Sequence, residues 1–215
     1  MLVDLYLRDR EVVVFGGGNE AELKILKVFD DGAKVTAVSK TFTKKISSLA
    51  KKGKIRTIEY DLENGYAPLK NRLGKLYVVF LATDDVRLNK LGVDFAKSLG
   101  AIVCVVDTPE LCDFAMPAIA KVGKIRIGIT TGGGSPIIAK LLRQRIEDLL
   151  TEEDLIHLEL QEYARKKIRP KISEFPSRKK FLWKIVEDGR IQSLIKERKL
   201  QQAKLLVDRM IERVA

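Results

Sequence analysis

Residues 11–24 read EVVVFGGGNEAELK: a β-branched run, three glycines, then the spacing of an amphipathic helix. The unbroken EVVVF run (Glu11–Phe15) is the pattern of a strand buried on both faces of a parallel sheet. Helical spacing continues from Glu20 to Asp30, with Ala21, Leu23, Leu26 and Val28 on the apolar stripe and Gly32 as the C-terminal stop. Strand, glycine turn and helix in direct succession give Gly16-Gly17-Gly18-Asn19-Glu20-Ala21 a mechanical reading as G-x-G-x-x-A. Gly16 permits the tight turn, Gly18 lets backbone approach a pyrophosphate, and Ala21 lets helix and sheet pack closely. The helix N-terminus adds amide donors and a partial positive charge.

The pattern repeats outward from this stretch. Lys34–Val38 (KVTAV), Ile55–Tyr60, Tyr77–Ala82 (YVVFLA) and Ile102–Val106 (IVCVV) are further strand candidates, separated by a Lys-rich helix to about Lys52 and a helix over Val86–Leu99. Strands alternating with helices at this spacing predict right-handed crossovers and a Rossmann-type, doubly wound parallel sheet of the α/β class. After Pro109 the character changes. Lys124–Ile129 (KIRIGI) alternates like a strand, Thr130–Ser135 is a glycine-rich turn, and Pro136 opens a helix to Leu150. The remaining 65 residues carry no strand signal and break at Pro170, Pro176 and Gly189 into short amphipathic helices. The expected organisation is therefore a dinucleotide-binding domain over 1–112, a small α/β segment over 113–150 and a helical domain over 151–215.

Composition excludes several classes. Of the 215 residues, 46% are apolar and 32% charged, a globular balance. No window approaches ~18 consecutive apolar residues, and the N-terminus mixes charges where a secretory peptide needs an apolar run, so neither a membrane span nor a signal sequence is expected. Two cysteines, Cys104 and Cys112, are too few for a disulfide framework and lack zinc-site spacing, which points to a reducing cytoplasm. The net charge of +11 divides as +6 up to Leu150 and +5 beyond it, and residues 161–180 hold eight bases against two acids. Such a balance favours anionic partners. No nucleic-acid motif accompanies the basic run, so nucleic acid is not the expected partner.

Other residues stand where chemistry concentrates in open α/β sheets, at the carboxyl ends of strands. Ala82-Thr83-Asp84-Asp85 follows the fourth strand; Thr83 or Asp84 reads as the cap of the next helix, and Thr83 equally as a cofactor contact. Asp107 closes the fifth strand, as a general base or metal-binding carboxylate, or as an Asx turn before Pro109. The second strand ends Ser39-Lys40-Thr41, without the acid that ordinarily accepts ribose hydroxyls. Ser39 or Thr41 can bond a ribose, and Lys40 favours a 2′-phosphate, so these residues leave NAD and NADP both open. Thr130–Pro136 is a second glycine-rich turn before a helix, able to cradle carboxylates and also to serve as a plain cap through Ser135. Arg143 and Glu147 are spaced for a helix-surface pair. His157 is the only histidine and has no metal-ligand or triad neighbours in sequence, so no metal site is expected. Phe181 and Trp183 are expected to pack the C-terminal helices together.

Taken in order, GGGNEAELK, ATDD with Asn89, CVVDTPELCDFAMPA and ITTGGGSPIIAKLLRQRIE resemble the N-terminal module of siroheme synthases, a family of precorrin-2 dehydrogenases of which some are also sirohydrochlorin ferrochelatases. The resemblance spans about residues 1–150. It implies oxidation of precorrin-2 to sirohydrochlorin with hydride passing to NAD. It implies catalysis by Asp107, and cofactor contacts at Gly18, Asn19, Glu20, Lys40 and Thr41. Thr131, with Gly132 and Ser135, is placed near the tetrapyrrole. It also implies a homodimer paired through residues 113–150, with the active site shared between the sheet edge and that segment. Two departures are visible: Thr130-Thr131 where the family has Ser-Ser or Ser-Thr, and Glu20 where a small apolar residue is common. The chain lacks the length for the methyltransferase domain, so that activity is not expected. Ferrous ion as a second substrate stays open, as does a dinucleotide-sensing regulatory module without catalysis. The intact Asp107 and Thr131–Ser135 motifs speak against the sensor.

Overall fold

The computed structural model describes residues 2–213. They form two compact units, one ending at Met116 and the other beginning at Pro117.

In the first unit, strands β1 (Glu11–Phe15), β2 (Lys34–Ser39), β3 (Arg56–Glu59), β4 (Val78–Leu81) and β5 (Ile102–Val105) make one parallel sheet in the order β3-β2-β1-β4-β5. Side chains alternate across it. Val13 and Phe15 of β1 join Val79 and Leu81 in one core, with Leu88, Val93 and Ala96 of helix α4 (Val86–Ser98). Val12 and Val14 join Val78 and Phe80 in the other, with Ala21, Ile25 and Val28 of helix α1 (Asn19–Asp30) and Ile46 of helix α2 (Lys44–Lys51). A sheet buried on both faces needs continuous apolar strands, which is why EVVVF shows no polar alternation. A short helix, α3 (Lys70–Leu73), lies between β3 and β4.

Because β1 is flanked by β2 on one side and β4 on the other, the chain reverses its direction of winding there, which opens a crevice at the strands' carboxyl ends. At the β5 edge, side chains replace a missing neighbour strand: Asp113 accepts the Val103 amide at 2.9 Å and Cys112 accepts the Val105 amide at 3.1 Å. Edge groups satisfied in this way offer no template to another chain.

The second unit opens with an antiparallel hairpin of β6 (Ala118–Val122) and β7 (Ile125–Ile129). Only β7 is expected from the sequence. Its partner AIAKV precedes a two-residue turn in which Gly123 has a φ of 56°, the conformation a tight hairpin demands. Helix α5 (Pro136–Leu149) follows, then α6 (Glu152–Ile168), α7 (Phe175–Glu187), α8 (Gly189–Lys196) and α9 (Leu200–Glu212). The last four share a core of Leu160, Ala164, Phe181, Ile185, Ile191, Val207 and others. Two of the expected breaks fall where a new helix starts. Pro176 lies in the first turn of α7, where its missing N–H costs nothing. Gly189 opens α8 behind the capping carboxylate of Asp188. A further break at Glu197–Lys199 is carried by Arg198 at a φ of 57°, with no glycine or proline to signal it. Trp183 is also corrected: Phe181 is buried, but Trp183 is 55% exposed.

Candidate active site

The glycine turn after β1 is sterically determined. Gly16 has a φ of 128°, and a Cβ there would stand 2.3 Å from the Ala82 carbonyl oxygen at the end of β4. A Cβ on Gly17 would stand 1.9 Å from the Thr41 carbonyl oxygen. Gly17 therefore carries a packing constraint that the x position of the motif did not reveal. At Gly18 a Cβ would meet nothing within 4 Å. This glycine borders open space at the N-cap of α1, a helix start with no side-chain cap hydrogen bond. Unsatisfied first-turn amides beside open space fit a pyrophosphate. Ala21 is fully buried against the sheet. Asn19 and Glu20 begin α1, and Glu20 lies 3.8 Å from Lys24 on the next turn.

The loop after β2 is tied to this turn. The Thr43 amide donates to the Gly17 carbonyl at 3.0 Å, and the Thr43 hydroxyl donates to Glu22 of α1 while accepting the Ile46 amide as cap of α2. Lys40 and Thr41 are thereby held beside the glycines, both exposed. Lys40 Nζ is 2.9 Å from Asp61 Oδ2, and this hydrogen bond to Lys40 holds the Asp61 carboxyl below its usual range. An acid from the loop after β3 thus meets the lysine at the end of β2, a relation that sequence spacing does not display.

After β4, the cap of α4 is Asp85 rather than Thr83 or Asp84: its carboxylate accepts the Arg87 and Leu88 amides at 2.7 and 3.2 Å. The bond from Leu88 is the largest influence holding that carboxyl below the usual range. Thr83 has another task. Its hydroxyl lies 2.7 Å from Asn89 Oδ1 and 3.1 Å from the Asp85 carbonyl, while Asn89 Nδ2 donates back to the Thr83 carbonyl at 3.0 Å. Asn89 is buried, so these bonds satisfy a side chain that water does not reach.

Asp107 follows β5 with a φ of 59°, a left-handed conformation that Asp tolerates better than most residues. It is exposed and has no hydrogen-bond or ion-pair partner among the described residues. The Cys112 thiol lies across this turn, 3.3 Å from the Val105 carbonyl and 3.5 Å from the Thr108 carbonyl. Gly16, Gly18, Asn19, Lys40, Thr41, Thr83 and Asp107 thus all follow strand ends on one edge of the parallel sheet, the edge where such sheets bind ligands.

Thr131, Gly132 and Ser135 lie in the second unit, between β7 and α5. Gly132 and Gly133 have φ of 62° and 84°. The Thr131 hydroxyl accepts the Ser135 amide at 3.1 Å and faces the Ser135 carbonyl at 3.2 Å, and Ser135 caps α5 through the Ile138 amide. Arg143 and Glu147 form the expected pair at 3.9 Å. Among the described residues, no three His, Cys, Asp or Glu side chains are grouped so as to hold a metal ion. His157 Nε2 is buried with no hydrogen-bond partner.

A family model described as putative NAD(P)-binding matches residues 3–118. A precorrin-2 dehydrogenase of Methanosarcina barkeri (strain Fusaro) is 32% identical over 184 residues, covering 85% of this chain and 81% of that protein. The siroheme synthase of Actinobacillus pleuropneumoniae serotype 3 (strain JL03) is 29% identical over 202 residues, 94% of this chain. This chain spans 40% of the length of that relative. Among solved structures, SirC, a precorrin-2 dehydrogenase, superposes with a TM-score of 0.72 at 22% identity, covering 99% of both chains, a likeness of fold.

Proposed function

This chain belongs to the precorrin-2 dehydrogenase family and carries its NAD(P)-binding domain, and we propose that it oxidises precorrin-2 to sirohydrochlorin with NAD as acceptor. When bound, NAD supplies the hydride acceptor, and the chain supplies binding, orientation and a base. The amides at Gly18, Asn19 and Glu20 receive the pyrophosphate, with Ala21 holding α1 close to the sheet. Lys40 and Thr41 meet the adenosine ribose, and Thr83 borders the crevice between β1 and β4. Asp107 takes the proton that leaves the macrocycle as its hydride equivalent departs, so two electrons and two hydrogens leave the substrate. Thr131, Gly132 and Ser135 bond tetrapyrrole carboxylates, and the +11 charge of the chain draws this polyanion in.

The observation that carries the reading is Asp107: an exposed carboxylate without a partner among the described residues, held in a left-handed turn at the ligand edge of the sheet. Backbone in such a conformation concentrates at functional sites. The dinucleotide-sensor alternative gives Asp107 no task.

A homodimer paired through residues 113–150 completes the proposal. It is supported by α5, which leaves Ile137, Ile138, Leu141 and Leu149 exposed along one helix. No helix among the described residues is long and apolar enough to cross a membrane. Both cysteines are free thiols, which supports a reducing cytoplasm as the compartment.

The test is an anaerobic assay of precorrin-2 with NAD, following sirohydrochlorin absorbance, for wild type and Asp107→Asn. Wild type turns over, and the variant loses about 10²–10⁴-fold, the usual worth of a positioned base. NAD binding without turnover in wild type sinks the proposal in favour of the sensor. Ferrous ion added to the same cuvette reads ferrochelation as siroheme formed above the rate without enzyme.

A further inference from the structure

The basic run at 161–180 belongs to the second unit, and none of the nucleotide-site residues named above lies in it. It lines a cavity of about 700 Å³ between α6 and α7, bordered by Arg165, Arg169, Arg178, Lys179, Phe175 and Trp183, all residues of the second unit. Arg178 is the anchored member: its Nη1 donates to the Ile172 and Ser173 carbonyls, and its guanidinium lies 6.0 Å from the centre of the Phe175 ring. Arg165, Arg169 and Lys179 have no ion-pair partner among the described residues. The acids of the run are engaged elsewhere, Glu162 with Lys124 at 2.6 Å and Glu174 with the Ser177 hydroxyl at 3.1 Å. The rings of Phe175 and Trp183 are 68% and 55% exposed, apolar surface that the helix pair leaves uncovered.

A ligand matching this cavity offers a broad apolar face for two rings and several carboxylates for four cations. Charge-assisted bonds from guanidinium to carboxylate give the rim its strength, and the cations add attraction over the rings. We infer that this cavity, built wholly from residues of the second unit, binds a polycarboxylate tetrapyrrole. The choice of ligand rests on the dehydrogenase reading. Single-stranded nucleic acid also pairs aromatic faces with cations, but it needs a groove that follows a backbone over several nucleotides. Here four cations border one cavity.

Trp183 is the chain's only tryptophan, so its emission reports the cavity. The probe is uroporphyrin, a stable porphyrin with eight carboxylates, titrated into the full chain and into Arg169→Glu/Lys179→Glu. Both positions are exposed, and thermal melting checks that the variant folds. The expected result is quenching of Trp183 in wild type, about 10-fold weaker affinity in the variant, and recovery in the charge-keeping Arg169→Lys/Lys179→Arg. Uroporphyrin also shields Lys179 of wild type from acetylation. Equal affinity in wild type and the charge-reversed variant, or an unshielded Lys179, overturns the inference. So does an oligonucleotide that binds in a Lys179-dependent way where uroporphyrin does not. Precorrin-2 oxidation, measured on the same samples, separates the two readings. Porphyrin binding that depends on Arg169 and Lys179 without turnover supports this site while failing the dehydrogenase; turnover with no such binding fails this site alone.

Discussion

Cys112 closes the backbone of Val105 from the side, accepting its amide at 3.1 Å and lying 3.3 Å from its carbonyl. The same sulfur reaches the Thr108 carbonyl at 3.5 Å, so one side chain spans the turn that presents Asp107. A left-handed Asp persists only where its surroundings determine it. Cys112 contacts carbonyls on both sides of Asp107, so its hold on that turn runs through backbone.

Cys112→Ala is therefore expected to lower kcat about 10-fold by loosening the carboxylate, and to cost about 1 kcal/mol in stability for the lost bonds. NAD affinity stays unchanged, since the glycine turn lies after a different strand. Cys112→Ser restores much of kcat because it keeps a donor and an acceptor. A kcat unaffected in the Ala variant would show that the turn holds Asp107 without the thiol.

The three glycines after β1 separate folding from binding. Gly17→Ala forces a Cβ to 1.9 Å from the Thr41 carbonyl oxygen, and Gly16→Ala adds a strained φ to a 2.3 Å clash with Ala82. Both are expected to lower the melting temperature by several degrees, a loss of about 2 kcal/mol or more. Gly18→Ala meets no atom within 4 Å among the described residues beyond its chain neighbours, so its melting temperature stays near wild type while the Kd for NAD rises at least about 10-fold, since the added methyl occupies the pyrophosphate's approach. Calorimetry with NAD on all three variants checks the division. A Gly18→Ala protein that binds NAD normally would move the pyrophosphate elsewhere.

This division marks where sequence reading reaches and where it stops. The parallel sheet was legible because strands buried on both faces must be apolar throughout, and the helices between them because their apolar residues recur at helical spacing. Ala118–Val122 escaped because a half-buried hairpin strand with one lysine carries a weak pattern, and its signal, Gly123, appears only when both strands are considered. Asp107 was legible as the residue ending a strand; its left-handed backbone was not. Gly17, Asp61, Asp85 and Cys112 act through partners such as Thr41, Lys40, the Leu88 amide and Val105. Two of these relations join adjacent strands or their loops, and no spacing rule encodes them.

The Lys40–Asp61 pair gives a prediction on cofactor choice. With its charge met by Asp61 at 2.9 Å, Lys40 presents little net charge to a 2′-phosphate, and Asp61 adds repulsion of its own. Asp61→Asn frees Lys40 while keeping an acceptor for the Glu63 amide. It is expected to raise kcat/KM with NADP about 10-fold while that with NAD changes little, the scale of one charge at an exposed site facing a dianion. The gain fades at high salt. Unchanged NADP kinetics would place the adenosine ribose away from Lys40.

Stability at alkaline pH follows from two buried acids. Burial, and then the neighbouring Cys112, push the Cys104 thiol up to about 12. Burial, and then the Asp85 charge, also raise the Tyr66 phenol, whose hydroxyl donates to the Leu88 carbonyl at 3.0 Å. Both groups hold their protons more tightly in the folded chain than in the unfolded one. Their contribution is fully present below the unfolded values of about 8.5 and 10 and is lost as pH rises through that range toward the folded values. The melting temperature is thus expected to be flat from pH 7 to about 8.5 and to fall steeply above it. Tyr66→Phe costs about 1 kcal/mol at pH 7 for its hydrogen bond and makes the decline above pH 10 shallower. Cys104, held as a thiol, reacts with iodoacetamide at pH 8 far more slowly than Cys112. Melting temperatures at four pH values, with peptide mapping of the alkylated cysteines, test both claims. A decline no shallower in Tyr66→Phe would assign the alkaline loss to other groups.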